Sequence, residues 1–376
     1  GRSRPLEDNV LEIMLCLATT RKSLKPPRLL ALDLPTGLNA DTGDVDVNSV
    51  PCDITLALGY PKAGLLNFPG AEHAGELRVL DIGIPSGLKE EAAIQLESLD
   101  GNWVARHLPK RPLDAHKGTF GHVLVVAGSR NYVGAAHLAA QASVRAGAGL
   151  TTLASPESVY RIAAAKCTEP IHLPLLEDEE GRVASRAAQI LRNESRQYTN
   201  VLVGCGLGLS GGTVQFVEDL LFHQDGSRIS ELPTLVDADG LNNLACIENW
   251  AQRPRGPLVL TPHPGEMATL TELPTKEIQE DRVTVVKEYA VRWNVTLVLK
   301  GANTVIGQPD GTVRVASFAN PGLATGGTGD VLSGVIAGLM AQGLEPAAAA
   351  NCGVYLHGDA GREMTLALGN IGTAAS

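Results

Sequence analysis

Lysine and arginine never form a run in this chain of 376 residues, and its formal net charge is −10. It therefore lacks the basic stripe that nucleic acid or an anionic membrane surface would select, and neither is expected as a partner. No apolar run reaches transmembrane length, since Val331 to Met340 is too short and holds two glycines. The six cysteines (Cys16, Cys52, Cys167, Cys205, Cys246, Cys352) include no close pair. A disulfide framework is not needed at this size, so reduced thiols in a cytoplasmic setting are the expectation. The nine histidines and six cysteines show no zinc spacing, and there is neither a Walker A motif nor a GxSxG elbow. Covalent serine or cysteine catalysis has no support. What is present is a globular composition, 44% hydrophobic and 19% charged, with 41 glycines, as in turn-rich α/β enzymes. The length is enough for two domains.

The chain is organised around Ser317 to Met340, SFANPGLATGGTGDVLSGVIAGLM. Val331, Leu332, Val335, Ile336, Leu339 and Met340 recur one or four apart and predict a helix starting near Gly329 and ending near Gly343. Gly326, Gly327 and Gly329 precede it without Cβ atoms, which opens the helix's unpaired N–H groups and positive dipole end to an anion, with phosphate favoured. Asp330 stands at the edge of that site. A carboxylate there would repel phosphate but could take a proton from a hydroxyl attacking it. GGTGD by itself is equally consistent with an ordinary acidic first turn.

Strands are expected at Leu29–Leu34, Ile54–Leu58 and Glu76–Ile82. The charged, helix-prone stretch 86–100 then suggests a linker, placed at 89–102. Further strands are expected at Val123–Ala127, Leu150–Ala154, Val201–Val203, Thr234–Asp237, Leu258–Leu260 and Thr296–Leu299. Helices fall at 135–147, 213–223 and 281–293, and a hairpin lies within Asn303–Ser317. This alternation implies a parallel sheet covered on both faces.

Four loops at strand ends are candidate ligand contacts, because open α/β sheets bind ligands there. Gly128 to Ala136 is a small-residue turn, equally explained by close helix–sheet packing. Val203 to Gly208 is glycine-rich after a strand. In Thr261-Pro262-His263-Pro264-Gly265-Glu266, two prolines fix the loop and leave His263 and Glu266 projecting from it. Lys300-Gly301-Ala302-Asn303-Thr304 offers a cation and a hydroxyl suited to a nucleotide. Together these are parts for phosphoryl transfer outside the P-loop class.

From Lys117–Gly121 through Ala127-Gly128-Ser129, Arg145–Gly149, Thr261–Glu266, Lys300–Thr304 and Gly326–Asp330, the chain resembles the ADP/ATP-dependent NAD(P)H-hydrate dehydratases of the ribokinase-like superfamily. The match covers roughly residues 103 to 370. Residues 29–88, with LDLPTGLNADTG at 32–43, Lys62–Leu65 and Asp81–Pro85, resemble the end of the NAD(P)H-hydrate epimerase domain that is commonly fused in front of the dehydratase in bacteria. The resemblance implies an α/β fold: a ribokinase-like three-layer sheet covered by helices over 103–376, preceded at 1–88 by the C-terminal part of a Rossmann-like epimerase domain.

The function implied is metabolite repair by a lyase fused to an isomerase. The dehydratase phosphorylates the ring hydroxyl of (S)-NADH or (S)-NADPH hydrate, and phosphate then leaves with help from the ring nitrogen. Asp330 would be the base. Ala135, Gly206, His263 and Asp330 would bind the hydrate, and Lys300, Gly301, Ala302, Asn303, Thr304 and Gly329 the adenine nucleotide. Mg²⁺ is implied, with Glu266 as a candidate ligand, and ADP is favoured over ATP by family tendency, giving AMP and phosphate. In the epimerase part, Asp33 matches a substrate position and Thr36 a potassium position, where serine is commoner. The K⁺ site would need the family's GNNGGDG segment, which is not in this sequence, so a fragment that dehydrates the S hydrate without epimerising the R form is expected. Cys205 stands where the family usually has proline. A homo-oligomer is expected. The alternatives are a ribokinase-like kinase of a vitamin-type alcohol and a non-catalytic nucleotide-binding protein.

Overall fold

The runs HVLVV, NVLV, TLV, LVL and TLVL are apolar beyond their first residue and have no polar face to turn to water. Such strands need cover on both sides. In a computed structural model, which describes residues 4–85, 87–223 and 226–376, they form the fully buried centre of a sheet. Gly1 to Ser3, within the expected epimerase part, and Ser86, at the start of the charged stretch, lie outside the described residues. No helix of the described residues is long and apolar enough to cross a membrane.

The chain divides into unit 1, Gly1–Ile94, and unit 2, Gln95–Ser376. Unit 1 holds three parallel strands, β1 (Leu30–Leu32), β2 (Ile54–Leu58) and β3 (Glu76–Leu80), in that order. Leu38, Ala57, Leu65 and Ala74 form one small core there, and Leu6, Met14 and Val50 a second.

Unit 2 is built on ten strands: β4 (Leu96–Leu99), β5 (His122–Val126), β6 (Leu150–Pro156), β7 (Ile171–Leu175), β8 (Asn200–Val203), β9 (Thr234–Val236), β10 (Leu258–Leu260), β11 (Thr296–Leu299), β12 (Thr304–Gly307) and β13 (Val313–Ala316). Their order is β4-β13-β12-β11-β10-β9-β8-β5-β6-β7. All neighbours are parallel except β11 with β12 and β12 with β13, which is the expected hairpin. The three expected helices form at Val133–Arg145, Gly211–Phe222 and Arg282–Trp293. The helix after the glycines runs Thr328–Ala341, and its Leu332, Ile336, Leu339 and Met340 share a core with Ala136, Ala139 and Ala140 of the 133–145 helix.

One expectation fails, and one strand is not foreseen. The stretch 89–102 is not simply a linker: β4 lies within it, pairs with β13 in register Glu97↔Arg314, and is followed by the helix Gly101–His107, which Asp100 caps. Its charge misled because Glu97 is an edge-strand residue whose carboxylate meets Arg314 Nη2 at 2.8 Å. The other sheet edge, β7, was not anticipated because its sequence IHLPL contains proline. Such a residue belongs on an edge strand, where its missing N–H costs no ladder bond.

Candidate functional site

Chain order reverses between β5 and β8: from β5 the sheet grows through β6 and β7 to one side, and from β8 through β9, β10 and β11 to the other. The crevice at the carboxyl ends of strands at such a switch point is where this class of sheet binds ligands. Two hydrogen bonds tie its walls together. Gly128 N–H donates to the Cys205 carbonyl at 2.8 Å, and Ser129 Oγ to the Gly206 carbonyl at 2.8 Å. Gly206 has φ +64°, and a Cβ there would come within 3.0 Å of Ala135, so two predicted hydrate contacts adjoin.

The 328–341 helix begins at Gly327, whose φ of +94° is a left-handed turn that glycine enters freely. No side chain caps this end, so the first N–H groups stay available to a ligand. Beside Gly326 there is open space. A Cβ on Gly329 would lie 3.6 Å from Lys300 Nζ and 3.9 Å from Asp237 Oδ2, which brings the glycine turn and the Lys300 loop to one place.

Asp330 is in the first turn of that helix, and its pKa is pushed up to about 6. Burial is the main cause, followed by the Asp237 carboxylate, while Cys205 and Lys300 pull the other way. An aspartate in that state can accept a proton near neutral pH and is poised for general-base work. Lys300 Nζ sits 2.6 Å from Asp237 Oδ1 and 3.6 Å from Glu266 Oε2. Burial opposes its charge, yet Asp237 and Glu266 together hold its pKa above the usual lysine value.

His263 projects as expected, with its side chain 57% exposed. Glu266 does not. It turns inward and closes a capping box on the helix Pro264–Thr271: His263 Nδ1 accepts from the N–H groups of Gly265 (3.0 Å) and Glu266 (3.2 Å), and Glu266 Oε2 accepts from His263 N–H (2.7 Å). In the Lys300 loop, Gly301 and Ala302 are exposed, while Asn303 is buried with φ +53°. Thr304 Oγ1 donates to the Gly301 carbonyl at 2.9 Å, so that hydroxyl braces the loop.

Asp237, Ser333 and Arg282 are not singled out by the sequence, and Cys205 only as standing where the family usually has proline. Asp237 closes strand β9. Ser333, one turn after Asp330, donates to Asp237 Oδ2 at 2.7 Å. The Cys205 thiol lies 4.0 Å from that same oxygen, its pKa raised well above normal by burial and then by Asp237. Arg282, its pKa lowered to about 10 by burial, donates to the carbonyls of Leu299 (2.9 Å) and Lys300 (3.3 Å) and so fixes the loop from behind. A carboxylate ending an apolar strand at the same sheet end as Lys300 was the available signal for Asp237.

Asp33 and Thr36 lie in unit 1. Asp33 follows β1 and pairs with Lys62, whose hydrogen bond is the main reason its pKa is lowered; it also accepts the Leu58 N–H at 3.0 Å. The Thr36 carbonyl accepts from Ser49 Oγ at 2.7 Å. Among the described residues, the one cluster with ligand atoms close enough for a metal is Cys205, Asp237 and Asp330, within 4.8 Å. It does not fit Mg²⁺, a hard ion that takes oxygen ligands, because one donor is a protonated thiol and Asp237 already holds Lys300 and Ser333. Glu266, with one oxygen spent on a helix cap and Lys300 alongside, fits no better. A cavity of about 590 Å³ at the opposite end of the sheet, by the starts of β10 and β11, holds none of the predicted site residues.

A family model described as NAD(P)H-hydrate dehydratase matches residues 123–375, and one described as YjeF-related protein N-terminus matches residues 1–64. The chain is 44% identical over 334 residues to a bifunctional NAD(P)H-hydrate repair enzyme of Moorella thermoacetica, covering 89% of this chain and 62% of that protein. Its counterpart in Thermofilum pendens is 38% identical over 361 residues, covering 96% of this chain and 66% of that protein. The chain thus spans less than two thirds of the length of these relatives. Among solved structures, an ADP/ATP-dependent NAD(P)H-hydrate dehydratase from Bacillus subtilis, co-crystallised with ATP/Mg²⁺, superposes with TM-score 0.65 at 30% identity, covering 75% of this chain and 95% of that one.

Proposed function

The chain belongs to the NAD(P)H-hydrate dehydratase family, and on that premise we propose that unit 2 restores hydrated NADH or NADPH by nucleotide-driven dehydration. The observation that carries the reading is Asp330, held near neutral titration at the mouth of an open, glycine-framed helix start beside Lys300. Nucleotide phosphates would lie against the Gly326–Gly329 turn and the Lys300 ammonium, with the Lys300–Thr304 loop beside the nucleoside. The ring of the hydrate would enter between Ala135, Gly206 and His263.

The hydrate's ring hydroxyl attacks the terminal phosphorus of ADP, Asp330 takes the hydroxyl proton, the bond to AMP breaks, and a phosphoester forms. The ring nitrogen's lone pair then expels phosphate, and loss of a proton from the adjacent carbon restores the double bond. The net products are NAD(P)H, AMP and phosphate; with ATP they are NAD(P)H, ADP and phosphate. Mg²⁺ supplies charge neutralisation to the nucleotide when bound, and phosphate oxygens and water would hold it, since the carboxylates here are otherwise engaged. Unit 1 is assigned no epimerisation in this reading, because the GNNGGDG segment that the potassium site would need is not in this sequence.

The experiment is to supply (S)-NADH hydrate with ADP, and separately with ATP, and to follow regenerated NADH by its absorbance. A parallel reaction receives only the R hydrate. NADH from S and none above the spontaneous rate from R is the expected result. A kinase of the same fold would consume nucleotide and yield no NADH from either.

A further inference from the structure

Buried ion pairs are poor devices for stability, because desolvation offsets their attraction, so a pair kept in a core asks for another reason. Asp237 is 1% exposed and joins three elements. From the end of β9 it reaches Lys300 at the end of β11 (2.6 Å) and Ser333 on the 328–341 helix (2.7 Å). Its backbone is fixed as well, with its N–H donating to the Val203 carbonyl at 3.1 Å and its carbonyl accepting from Gly240 at 2.9 Å. Ala238, the next residue, has φ +50°, a conformation that strains an alanine and persists only where the surroundings impose it.

We propose that Asp237 is a positioning residue of this site: it holds the Lys300 ammonium toward the nucleotide and presses its own charge on Asp330. The proposal deepens the dehydratase reading and rests on it. The groups acting on Asp330 are Asp237 just after β9, Asp239 at the start of the helix Asp239–Ala245, Cys205 from the loop after β8, and Lys300 from the loop after β11. Glu266 and His357 complete the surroundings of Lys300. Among these, Asp237 is the nearest fixed negative charge shared by Lys300 and Asp330. Removing it takes a negative charge from beside Asp330 and leaves Lys300 with Glu266 as its carboxylate partner, which favours the Asp330 carboxylate.

The test is Asp237→Asn in the full chain, with two readouts. In the pH profile of kcat/KM for the S hydrate, the acid limb set by Asp330 moves to lower pH by about one unit. By calorimetry, ADP binds about tenfold more weakly, and Asp237→Asn combined with Lys300→Met is no weaker than Lys300→Met alone, because the aspartate acts through the lysine. An acid limb that stays in place, or binding losses that add, overturns the proposal. Should Asp237→Asn not fold, Ser333→Ala decides. It deletes only a hydroxyl partner of Asp237, leaves more of the carboxylate's charge to act on Asp330, and moves the limb to higher pH; no movement overturns the proposal. If the wild-type chain makes no NADH, the dehydratase reading fails, and the calorimetric cycle alone then judges the Lys300 contact.

Discussion

Each unit sets an aspartate against a lysine just past a parallel strand: Asp33 with Lys62 after β1, and Asp237 with Lys300 after β9. In unit 1 the two side chains are 36% and 29% exposed, and the aspartate is simply a well-ionised acid. In unit 2 they are 1% and 18% exposed, and a second aspartate stands alongside. Burial converts the same pair into a different instrument. Water screens the Asp33 pair, whereas in unit 2 burial lifts Asp330 to about 6, with the Asp237 carboxylate adding to the rise and Lys300 opposing it.

The largest effect expected from that difference is on turnover. Asp330→Asn should lower the rate of NADH regeneration by two or more orders of magnitude, roughly the value of a general base, with ADP affinity nearly unchanged. Wild-type-like turnover would remove Asp330 from the mechanism. The same variant should also be the more stable protein. A folded pKa of about 6 against 3.8 unfolded means the native state holds this proton more tightly. The stabilisation is complete below pH 3.8 and disappears as pH rises through about 6, so ionised Asp330 burdens the wild type by about 3 kcal/mol above pH 7. Asparagine never ionises. Urea unfolding of unit 2 should therefore show Asp330→Asn gaining on the wild type between pH 4 and 8, and parallel curves would contradict the raised pKa.

A smaller effect is expected at the glycine turn. Gly329→Val places a branched side chain 3.6 Å from Lys300 Nζ, where phosphate must approach, and ADP affinity should fall about tenfold, or 1.4 kcal/mol. Calorimetry on a folded variant that binds ADP normally would place the anion elsewhere.

Asp330 and its glycines were legible because their meaning is local: glycines directly ahead of an apolar-periodic helix announce an open helix start in any fold. Lys300 was legible as the cation ending an apolar strand. Asp237 was not, because its partners lie 63 and 96 residues away and nothing near it in sequence names them. Glu266 was read as projecting, although the spacing His263-x-x-Glu266 follows a capping box with histidine in the place of serine or threonine. The sheet's middle was read within a residue or two, while its edges were not. Edge strands such as β4 and β7 carry charge and proline because one side needs no partner, and those residues imitate linkers.

The smallest effect is expected where the comparison began. Lys62→Met should change the stability of unit 1 by less than about 1 kcal/mol, the range for an ion pair open to solvent. Asp33 keeps the Leu58 N–H at 3.0 Å, so its carboxylate is not left without a partner when the lysine goes. Its pKa is lowered in the folded state, so what the pair does contribute is present above the unfolded carboxylate value and lost as pH falls through the folded one. Unfolding of unit 1 at pH 7 and pH 3 should therefore show a small penalty at the higher pH that shrinks at the lower. A penalty of several kcal/mol that persists at pH 3 would mean that Lys62 is held by more than Asp33, and the contrast between an exposed pair and a buried one would no longer help explain why Asp330 titrates near neutrality.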